Sequence, residues 1–545
     1  MLRLSNLILP LDHPAEALPR AVCVALGIKR ADLRGFTVFR RGYDARRRGA
    51  IALVYTVDVD VADEAALLAR HADNAHVKPA PDMRYRVPVV TRQPSHRPLV
   101  IGFGPCGIFA ALILAEVGLR PIVLERGKAV RERTRDTWDL WRKRQLHEDS
   151  NVQFGEGGAG TFSDGKLHSG IRDPHHYGRK VLRELVDAGA PEEILYLSKP
   201  HIGTFRLVTM VERLRARIVE LGGKIRFGQR VDDLLIETDA RAERHVRGVR
   251  LAGGEELRAD HVVLALGHSA RDTFAMLDAR GVHLEAKPFS IGFRIEHPQS
   301  LVDRALFGAQ AGHPLLGAAD YHLVHHGADG RSVYSFCMCP GGTVVAATSE
   351  PGRVATNGMS QYSRNERNAN AAIVCDIRPT DYAPYGEGPL AGIALQRHWE
   401  SQAFELGGGD YSAPAQRVGD FLAGRATTAL GEVMPSYQPG VRLTDLSAAL
   451  PDYAVAAIRA AIPAFARKLR GYDLADAMLT GVETRTSSPV RVRRNDDDLQ
   501  SLNTRGLFPA GEGAGYAGGI LSAAVDGIRA AEAVVEAVSG QAHKA

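Results

Sequence analysis

Cysteine is scarce in this chain, with five among 545 residues. So few cysteines exclude a disulfide-stapled scaffold and are typical of a reducing compartment. No apolar run approaches the roughly 20 residues that a membrane-spanning helix needs. The apolar stretch at residues 1–14 is too short and too interrupted by polar residues for a secretion signal. We therefore expect a cytoplasmic protein with no membrane partner.

The chain also has almost no excess of charge of either sign. It contains 68 Lys and Arg and 63 Asp and Glu, which gives a net charge of +5. A small excess on a chain of this length does not indicate nucleic-acid binding. The hydrophobic fraction of 45% excludes general disorder, and the length predicts two or three domains. Glycine, in contrast, is abundant at 56 residues, so the backbone must turn tightly or approach something closely at many points.

Residues 1–90 have the pattern of a small α+β domain. The order strand, helix, hairpin and helix predicts a split βαβ, or ferredoxin-like, unit. Its hairpin connection carries the basic cluster Arg46–Arg48. This cluster could contact nucleic acid or an anionic ligand, but a solvated turn is the favoured interpretation, so nucleic acid is an unfavoured partner.

The spacing Gly-x-Gly-x-x-Gly occurs three times, at residues 102–107, 155–160 and 513–518. With glycine near one residue in ten, a chance match is expected about half a time per chain, so context must decide. Only the first match has all the neighbours that such a site needs. It follows a strand-like run, Leu99–Ile101, and a helix begins at Pro105. A second strand then ends in an acidic residue, Glu125. This context predicts a Rossmann-type dinucleotide site.

Each residue of the first motif has a physical role in such a site. Gly102 makes the turn, Gly104 lets the backbone approach a pyrophosphate, and Gly107 allows close helix packing. Glu125 accepts hydrogen bonds from ribose hydroxyls. The predicted contacts of this end of the cofactor are Gly102, Gly104, Pro105, Cys106, Gly107, Glu125 and Arg126.

Three features favour FAD over NAD, and all three resemble flavoproteins of the glutathione-reductase-like superfamily. The sequence Glu125-Arg126-Gly127 follows the second strand, and His261–Gly267 resembles a strand and turn that end beside the dinucleotide. Asn503–Glu512 resembles the closing motif, in which an acid after Gly511 binds the ribityl–phosphate portion, although the superfamily usually has Asp where this chain has Glu512. The helix that begins at Gly519 or Ile520 would then direct its N-terminus at the flavin.

A wider resemblance covers most of residues 97–540. The segments 151–166, 289–297, 337–342 and 483–489 together are similar to a bacterial family of uncharacterised FAD-dependent dehydrogenases. The resemblance implies an α/β fold with a discontinuous FAD-binding domain, residues 91–284 and 481–545, and an inserted α+β cap domain, residues 285–480. It implies no particular substrate.

Polar residues in two further segments are candidates for catalysis. The glycine-rich segment 155–170 is expected to contact the cofactor through Gly158 and Gly160, with Lys166 and His168 as proton donors or anion binders. Glu483 and Arg485 share a face if their segment is extended, and they could bind or protonate a substrate or form a structural ion pair.

Arg294 and Glu296 invite the same two interpretations as Glu483 and Arg485. Cys337 and Cys339 are interpreted as buried thiols rather than a redox pair, and no Cys or His set has the spacing of a metal site.

No second nucleotide-binding unit is present in the sequence for NAD(P)H. Electrons must come from the substrate, from transiently bound NAD(P)H or from a protein donor. We expect an oxidoreductase with non-covalent FAD that exchanges a hydride between flavin N5 and a small organic substrate. A flavin monooxygenase is one alternative, and a flavoprotein that binds RNA through residues 1–90 is another.

Overall fold

The computed structural model describes residues 1–47 and 49–540, so Arg48 of the basic cluster lies outside the described residues. The strands are β1 (Leu2–Pro10), β2 (Leu33–Asp44), β3 (Ala52–Val61), β4 (Val77–Pro79), β5 (Leu99–Ile101), β6 (Ile122–Leu124), β7 (Lys224–Arg226), β8 (Val231–Thr238), β9 (Arg244–Leu251), β10 (Glu256–Arg258), β11 (Val262–Leu264), β12 (Leu284–Ala286), β13 (Phe289–Pro298), β14 (Val324–His326), β15 (Ser332–Cys339), β16 (Gly342–Ala346), β17 (Thr356–Ser360), β18 (Asn368–Ile377), β19 (Ala413–Arg417), β20 (Val441–Leu443), β21 (Met478–Glu483), β22 (Val490–Val492) and β23 (Leu507–Pro509). The helices are α1 (Ala17–Leu26), α2 (Glu64–Arg70), α3 (Pro105–Glu116), α4 (Val130–Lys143), α5 (Tyr177–Asp187), α6 (Thr204–Glu220), α7 (Arg271–Ala279), α8 (Gln299–Phe307), α9 (Ala391–Leu406), α10 (Val418–Ala423), α11 (Asp452–Lys468) and α12 (Ile520–Ser539).

The first 80 residues form an antiparallel sheet in the order β2-β3-β1-β4, with α1 and α2 in its connections. The β2 strand also reaches the rest of the chain, because the Arg41 amide donates to the Tyr196 carbonyl at 2.6 Å and the Ser198 amide donates to the Arg41 carbonyl at 2.9 Å. The ring of Tyr43 meets Phe307 of α8 edge to face. This unit is therefore packed against both of the larger parts of the molecule.

A five-stranded parallel sheet in the order β23-β11-β5-β6-β7 forms the centre of the next unit. The sheet is closed by β23, a strand about 400 residues after β5, and α12 then returns against α3. The sequence predicts a single buried stripe on α3, but every residue from Cys106 to Ala115 is buried. The helix contacts α6 and α12 as well as β5 and β6 of the sheet, so it is covered all round.

The turn after β5 is built from glycines that no other residue can replace without movement. Gly102 has φ +98°, and a Cβ there would lie 2.5 Å from the carbonyl oxygen of Ala265. A Cβ on Gly107 would lie 2.0 Å from the carbonyl oxygen of Gly102. The first turn of α3 is thus in direct backbone contact with the strand that precedes it, as the Gly107 prediction requires.

The third unit contains a seven-stranded sheet in the order β14-β15-β18-β13-β21-β19-β20. Its neighbours are antiparallel except β19 and β20, and α11 packs on the sheet. The central strand β13 is buried from Phe289 to His297, because β18 and β21 flank it and helices cover it. In the part of the chain that the structure describes, no helix has both the length and the apolar character to cross a membrane.

The packing of Gly107 predicts the effect of a single methyl group. We expect Gly107→Ala to lower the free energy of unfolding by about 1–3 kcal/mol, because the new Cβ overlaps the Gly102 carbonyl. Gly253→Ala is the matched control, since a Cβ at this turn position meets nothing within 4 Å. Urea unfolding of both variants measures the difference, and equal stability of the two would contradict the close packing.

Candidate functional site

A cavity of 580 Å³ lies at the carboxyl ends of β5, β6 and β11, beneath the seven-stranded sheet. Open parallel sheets bind ligands at this edge, and the volume is in the range of cofactor sites. The residues predicted from sequence that line it are Gly102, Gly104, Pro105, Cys106, Glu125, Arg126, Gly158, Gly160, Lys166, His168, Gly267, Glu483, Arg485, Glu512, Gly519 and Ile520. Segments that are up to 400 residues apart in the chain therefore meet around one space.

Two of the predicted cofactor contacts, Gly107 and Gly511, do not line the cavity. Both are packing positions instead. Gly107 touches the Gly102 backbone, as described above, and a Cβ on Gly511 would lie 2.8 Å from the Cβ of Cys106. The close contact of Gly511 with α3 brings the closing segment up to the first glycine motif.

The Glu125 carboxylate is buried and accepts three backbone hydrogen bonds. Oε2 accepts from the Phe103 amide at 2.8 Å, and Oε1 accepts from the amides of Gly127 and Gly155, both at 2.9 Å. A carboxylate has about four acceptor positions, so one remains on Oε2 for a ligand hydroxyl. Glu125 thus has a structural role that the sequence prediction did not include, besides the predicted contact with a ribose.

Bare backbone forms the middle of the cavity wall. The Cα atoms of Gly104 and Gly158 face each other so closely that a Cβ on Gly158, which has φ +61°, would lie 2.8 Å from the Gly104 Cα. A Cβ on Gly160 would lie 3.1 Å from Cγ1 of Ile520. A Cβ on Gly267, in contrast, would meet no protein atom within 4 Å. This wall of bare glycine backbone fits the phosphates of a dinucleotide, which glycine-rich backbone lets approach closely.

Arg126 is held away from bulk solvent at the β6 end of the cavity. Its guanidinium donates to Asp149 at 2.6 Å and to Asp272 at 2.9 Å, and it lies over the ring of Phe154. Gln153 and Arg230 line the same end and were not identified from the sequence. Gln153 lies within the segment 151–166 that carries the family resemblance, but the resemblance assigns it no role, and Arg230 belongs to none of the motifs named above.

The closing segment is fixed by a buried ion pair. Asp526 of α12 accepts from the Gly511 amide at 2.7 Å and pairs with Arg494 at 2.7 Å. Glu512, the next residue after Gly511, lines the cavity, and burial raises its pKa to about 7, although Lys287 opposes this. A carboxyl in this state can hold or release a proton near neutral pH.

At the cap side of the cavity, Glu483 faces Arg294 of β13. Both are fully buried, and Arg294 Nη1 lies 3.8 Å from Glu483 Oε2, which has no hydrogen-bond partner. Burial raises the pKa of Glu483 to about 8, although Arg294 opposes this. Gly358 leaves room for the arginine, since a Cβ there would lie 2.0 Å from Arg294 Nη2. Glu296, in contrast, is turned away and accepts from Ser436 and Asn368.

Glu483 and Arg485 do not pair with each other, because β21 ends at Glu483 and the chain then bends. Arg485 instead donates to both oxygens of Glu400, at 3.0 and 2.9 Å, and also to Ser269 and Ser349. The same carboxylate pairs with Arg271 of α7 at 2.7 Å. The interpretation of Arg485 as a structural ion-pair residue is thus the one that its contacts favour, and its partner is Glu400.

Lys166 and His168 also line the cavity. The ammonium of Lys166 donates to the Met338 carbonyl and lies 4.0 Å from Asp164. The ring of His168 reaches solvent, and partial burial beside Lys166 lowers its pKa. Both groups remain available to an anionic or proton-accepting ligand.

Comparisons with known proteins identify the family of the chain and its cofactor. Residues 288–486 match a family model described as the C-terminal domain-like part of FAD-dependent proteins, and residues 1–60 match a domain of unknown function. The first match confirms FAD as the cofactor and FAD-dependent redox chemistry as the general class. The chain belongs to the family of an uncharacterized protein from Clostridium beijerinckii, with 46% identity over 537 residues and 98% of both chains covered.

Solved flavoprotein structures resemble the chain only distantly. The halogenase PltM has 12% identity and a TM-score of 0.37, with 83% of this chain and 71% of that chain covered. A geranylgeranyl bacteriochlorophyll reductase-like protein from Thermoplasma acidophilum has 14% identity and a TM-score of 0.36, with 83% and 80% covered. At these scores the similarity carries no argument about substrate or reaction.

The open space beside Gly267 allows a test of where the cofactor lies. We expect Gly267→Val to fold normally but to lose bound FAD, because the side chain meets no protein atom at its Cβ and extends into the cavity. Gly253→Val is the control, since it adds the same side chain at an exposed turn. The ratio of flavin to protein absorbance, with circular dichroism as the check on folding, measures the effect. Normal flavin content in Gly267→Val would contradict the assignment.

The Glu400 network predicts a loss of stability and a change in its pH dependence. Burial disfavours the charged form of Glu400 and by itself would raise its pKa. The positive charges of Arg271 and Arg485 have the larger effect and hold the pKa of Glu400 below its usual value. A lowered pKa in the folded state gives stability that is present above the unfolded pKa and is lost as the pH falls. We expect Glu400→Gln to lower the free energy of unfolding by about 3–5 kcal/mol at neutral pH and by less in acid.

The exposed Glu405→Gln, in the same helix, is the control for Glu400→Gln. Urea unfolding at neutral and at acidic pH measures both variants. Equal stability of the two at neutral pH would show that the buried network does not hold the cap.

Proposed function

We propose that the chain is an FAD-dependent oxidoreductase that exchanges a hydride between FAD and a small organic substrate. The observation that carries this proposal is one cavity with glycine-rich backbone typical of a dinucleotide site at one end and the buried Glu483, beside Arg294, at the other. The residues predicted from sequence to contact the cofactor or to act in catalysis are proposed in those same roles, with three exceptions. Arg485 is proposed as a positioning residue, and Gly107 and Gly511 are proposed to act through packing.

The chain's own groups are suited to hold this cofactor without a covalent bond. The bare backbone at Gly104 and Gly158 lets phosphates approach closely, and the free acceptor position of Glu125 offers a hydrogen bond to a ribose hydroxyl. The N-terminus of α12 at Ile520 reaches the cavity and contributes about half a positive charge. When bound, FAD supplies two-electron chemistry at its isoalloxazine ring.

Glu483 is proposed as the proton donor to the substrate. Its pKa of about 8 keeps it largely protonated at neutral pH, so it can give a proton to a substrate atom that gains negative charge. Arg294 then stabilises the carboxylate that remains, from 3.8 Å away. Lys166 and His168, which line the same cavity, are proposed to bind an anionic group of the substrate.

We propose the following division of the chain: a ferredoxin-like domain (1–90), an FAD-binding domain (91–284 and 481–545) and an inserted cap domain (285–480). Two observations support a structural role of the first domain over RNA binding. The guanidinium of Arg46 is paired with Asp44 at 2.6 Å, and β2 is hydrogen-bonded to residues 196 and 198. NAD(P)H is proposed only as a transient reductant.

Anaerobic reduction of the purified yellow protein tests the reaction. NADH, NADPH, a 2-hydroxy acid, a primary amine and an alcohol are each added, and the flavin absorbance is followed. Bleaching by one of the organic donors without oxygen supports the dehydrogenase. If flavin turnover requires oxygen and yields a hydroxylated product, the monooxygenase alternative replaces it.

With the donor that bleaches the flavin, Glu483→Gln gives a sharper prediction. In the wild type, we expect the rate of reoxidation by the matching oxidised substrate to fall as the pH rises through about 8, because Glu483 loses its proton. Glu483→Gln should be slower by about 10²–10⁴-fold at neutral pH, and its rate should not change through this pH range. Exposed Glu387→Gln is the control, and an unchanged profile in Glu483→Gln would contradict the role.

A further inference from the structure

We propose that Cys337 and Cys339 form a redox-active dithiol, with Cys337 as the thiol that faces the cavity and Cys339 as its resolving partner. The pair would be a second two-electron centre beside FAD. The exchange of electrons with FAD rests on the proposed function, whereas the dithiol itself does not. The interpretation of these cysteines as inert buried thiols would then be wrong.

The backbone holds Cys337 in an unusual conformation at the cavity wall. The pairing of β15 with β18 is interrupted by a bulge between Phe336 and Cys339, and Cys337 has φ +42°. Non-glycine residues rarely adopt positive φ, and they persist at functional sites where surrounding contacts impose it. Here Arg294 Nη2 fixes the turn by donating to the Cys337 carbonyl at 3.0 Å. Cys337 lines the cavity and is half-buried, while Cys339 is fully buried.

The surroundings of the two sulfurs differ in the way that a reactive and a resolving thiol require. The Cys339 thiol donates to the Cys337 carbonyl at 3.4 Å, and Arg294 Nη2 lies 3.8 Å from the Cys339 sulfur. The neighbouring Cys339 and the cations Arg294 and Lys166 lower the pKa of the Cys337 thiol. The contact with Cys337 and burial raise the pKa of Cys339. A thiolate that can be reached, next to a second thiol, is the arrangement of redox cysteines.

An independent observation indicates that chemistry takes place at this end of the cavity. Glu483 Oε2 is buried, lines the same cavity and has no hydrogen-bond partner. Cys337 is close enough to influence the ionisation of both Glu483 and Glu512. Buried polar atoms without hydrogen-bond partners are rare, and this one belongs to a residue that lines the same cavity as Cys337.

The redox step balances with the groups named. The Cys337 thiolate and the Cys339 thiol form one S–S bond and give up two electrons and the Cys339 proton. Oxidised FAD in the cavity takes up these two electrons, that proton and one from solvent, which yields FADH₂. In the reverse direction the disulfide accepts two electrons from reduced FAD, as labile catalytic disulfides do.

Disulfide mapping tests the dithiol without any FAD. Protein stripped of flavin is treated with diamide, alkylated after unfolding and cut with trypsin, which releases both cysteines in the peptide 332–353. We expect this peptide to lack two hydrogen atoms and to carry no alkyl group. If both cysteines are alkylated as free thiols after diamide, the dithiol proposal is overturned.

Anaerobic titration with dithionite then tests the exchange with FAD. Diamide-treated, FAD-loaded wild type should take up four electrons per flavin, whereas Cys337→Ser and Cys339→Ser should each take up two. Cys375→Ala is the control, because Cys375 is buried in the same sheet and does not line the cavity, and it should take up four.

Uptake of only two electrons by a wild type with a mapped disulfide would overturn the exchange. A protein that binds no FAD would overturn the proposed function, while the mapping would still decide the dithiol.

Discussion

The carboxylate of Glu125 is the interaction on which the rest of the site depends. Its two oxygens hold the amides of Phe103, Gly127 and Gly155, which belong to three separate loops. Charge-assisted hydrogen bonds of this kind are strong, and a buried carboxylate without them would be costly. Because the loops around Gly104 and Gly158 are then pressed together, the middle of the cavity has a wall of bare backbone.

A second constraint joins the cap to the nucleotide-binding part. Glu400 lies on α9 of the inserted unit, and its oxygens bind Arg271 from α7 and Arg485 from the segment after β21. A buried charge pair is weak evidence for stability, but removal of one partner leaves the others uncompensated. The network thereby fixes where β21 ends and keeps Glu483 at the cavity wall, 3.8 Å from Arg294.

Most of the residues predicted for the nucleotide end line the cavity, whereas the side-chain partners at its far end were not predicted, for a physical reason. Gly102, Glu125 and Ile520 belong to a strand–turn–helix pattern whose periodicity and spacing are local. The partners of Arg485 and Glu483 depend on strand register and on residues such as Glu400 and Gly358, which are distant in the chain. The bulge that turns Cys337 toward the cavity interrupts β15 locally and leaves no sign in the alternation of residues.

The central claim is that one cavity, with Glu125 at one end and Glu512 at the other, holds one molecule of FAD. A crystal structure of the protein grown with FAD measures this directly. The account predicts continuous flavin and adenine density within the cavity, with the closing segment near Glu512 in contact with it. Density for FAD at another place on the molecule, or a cavity filled by side chains in the presence of saturating FAD, would contradict it.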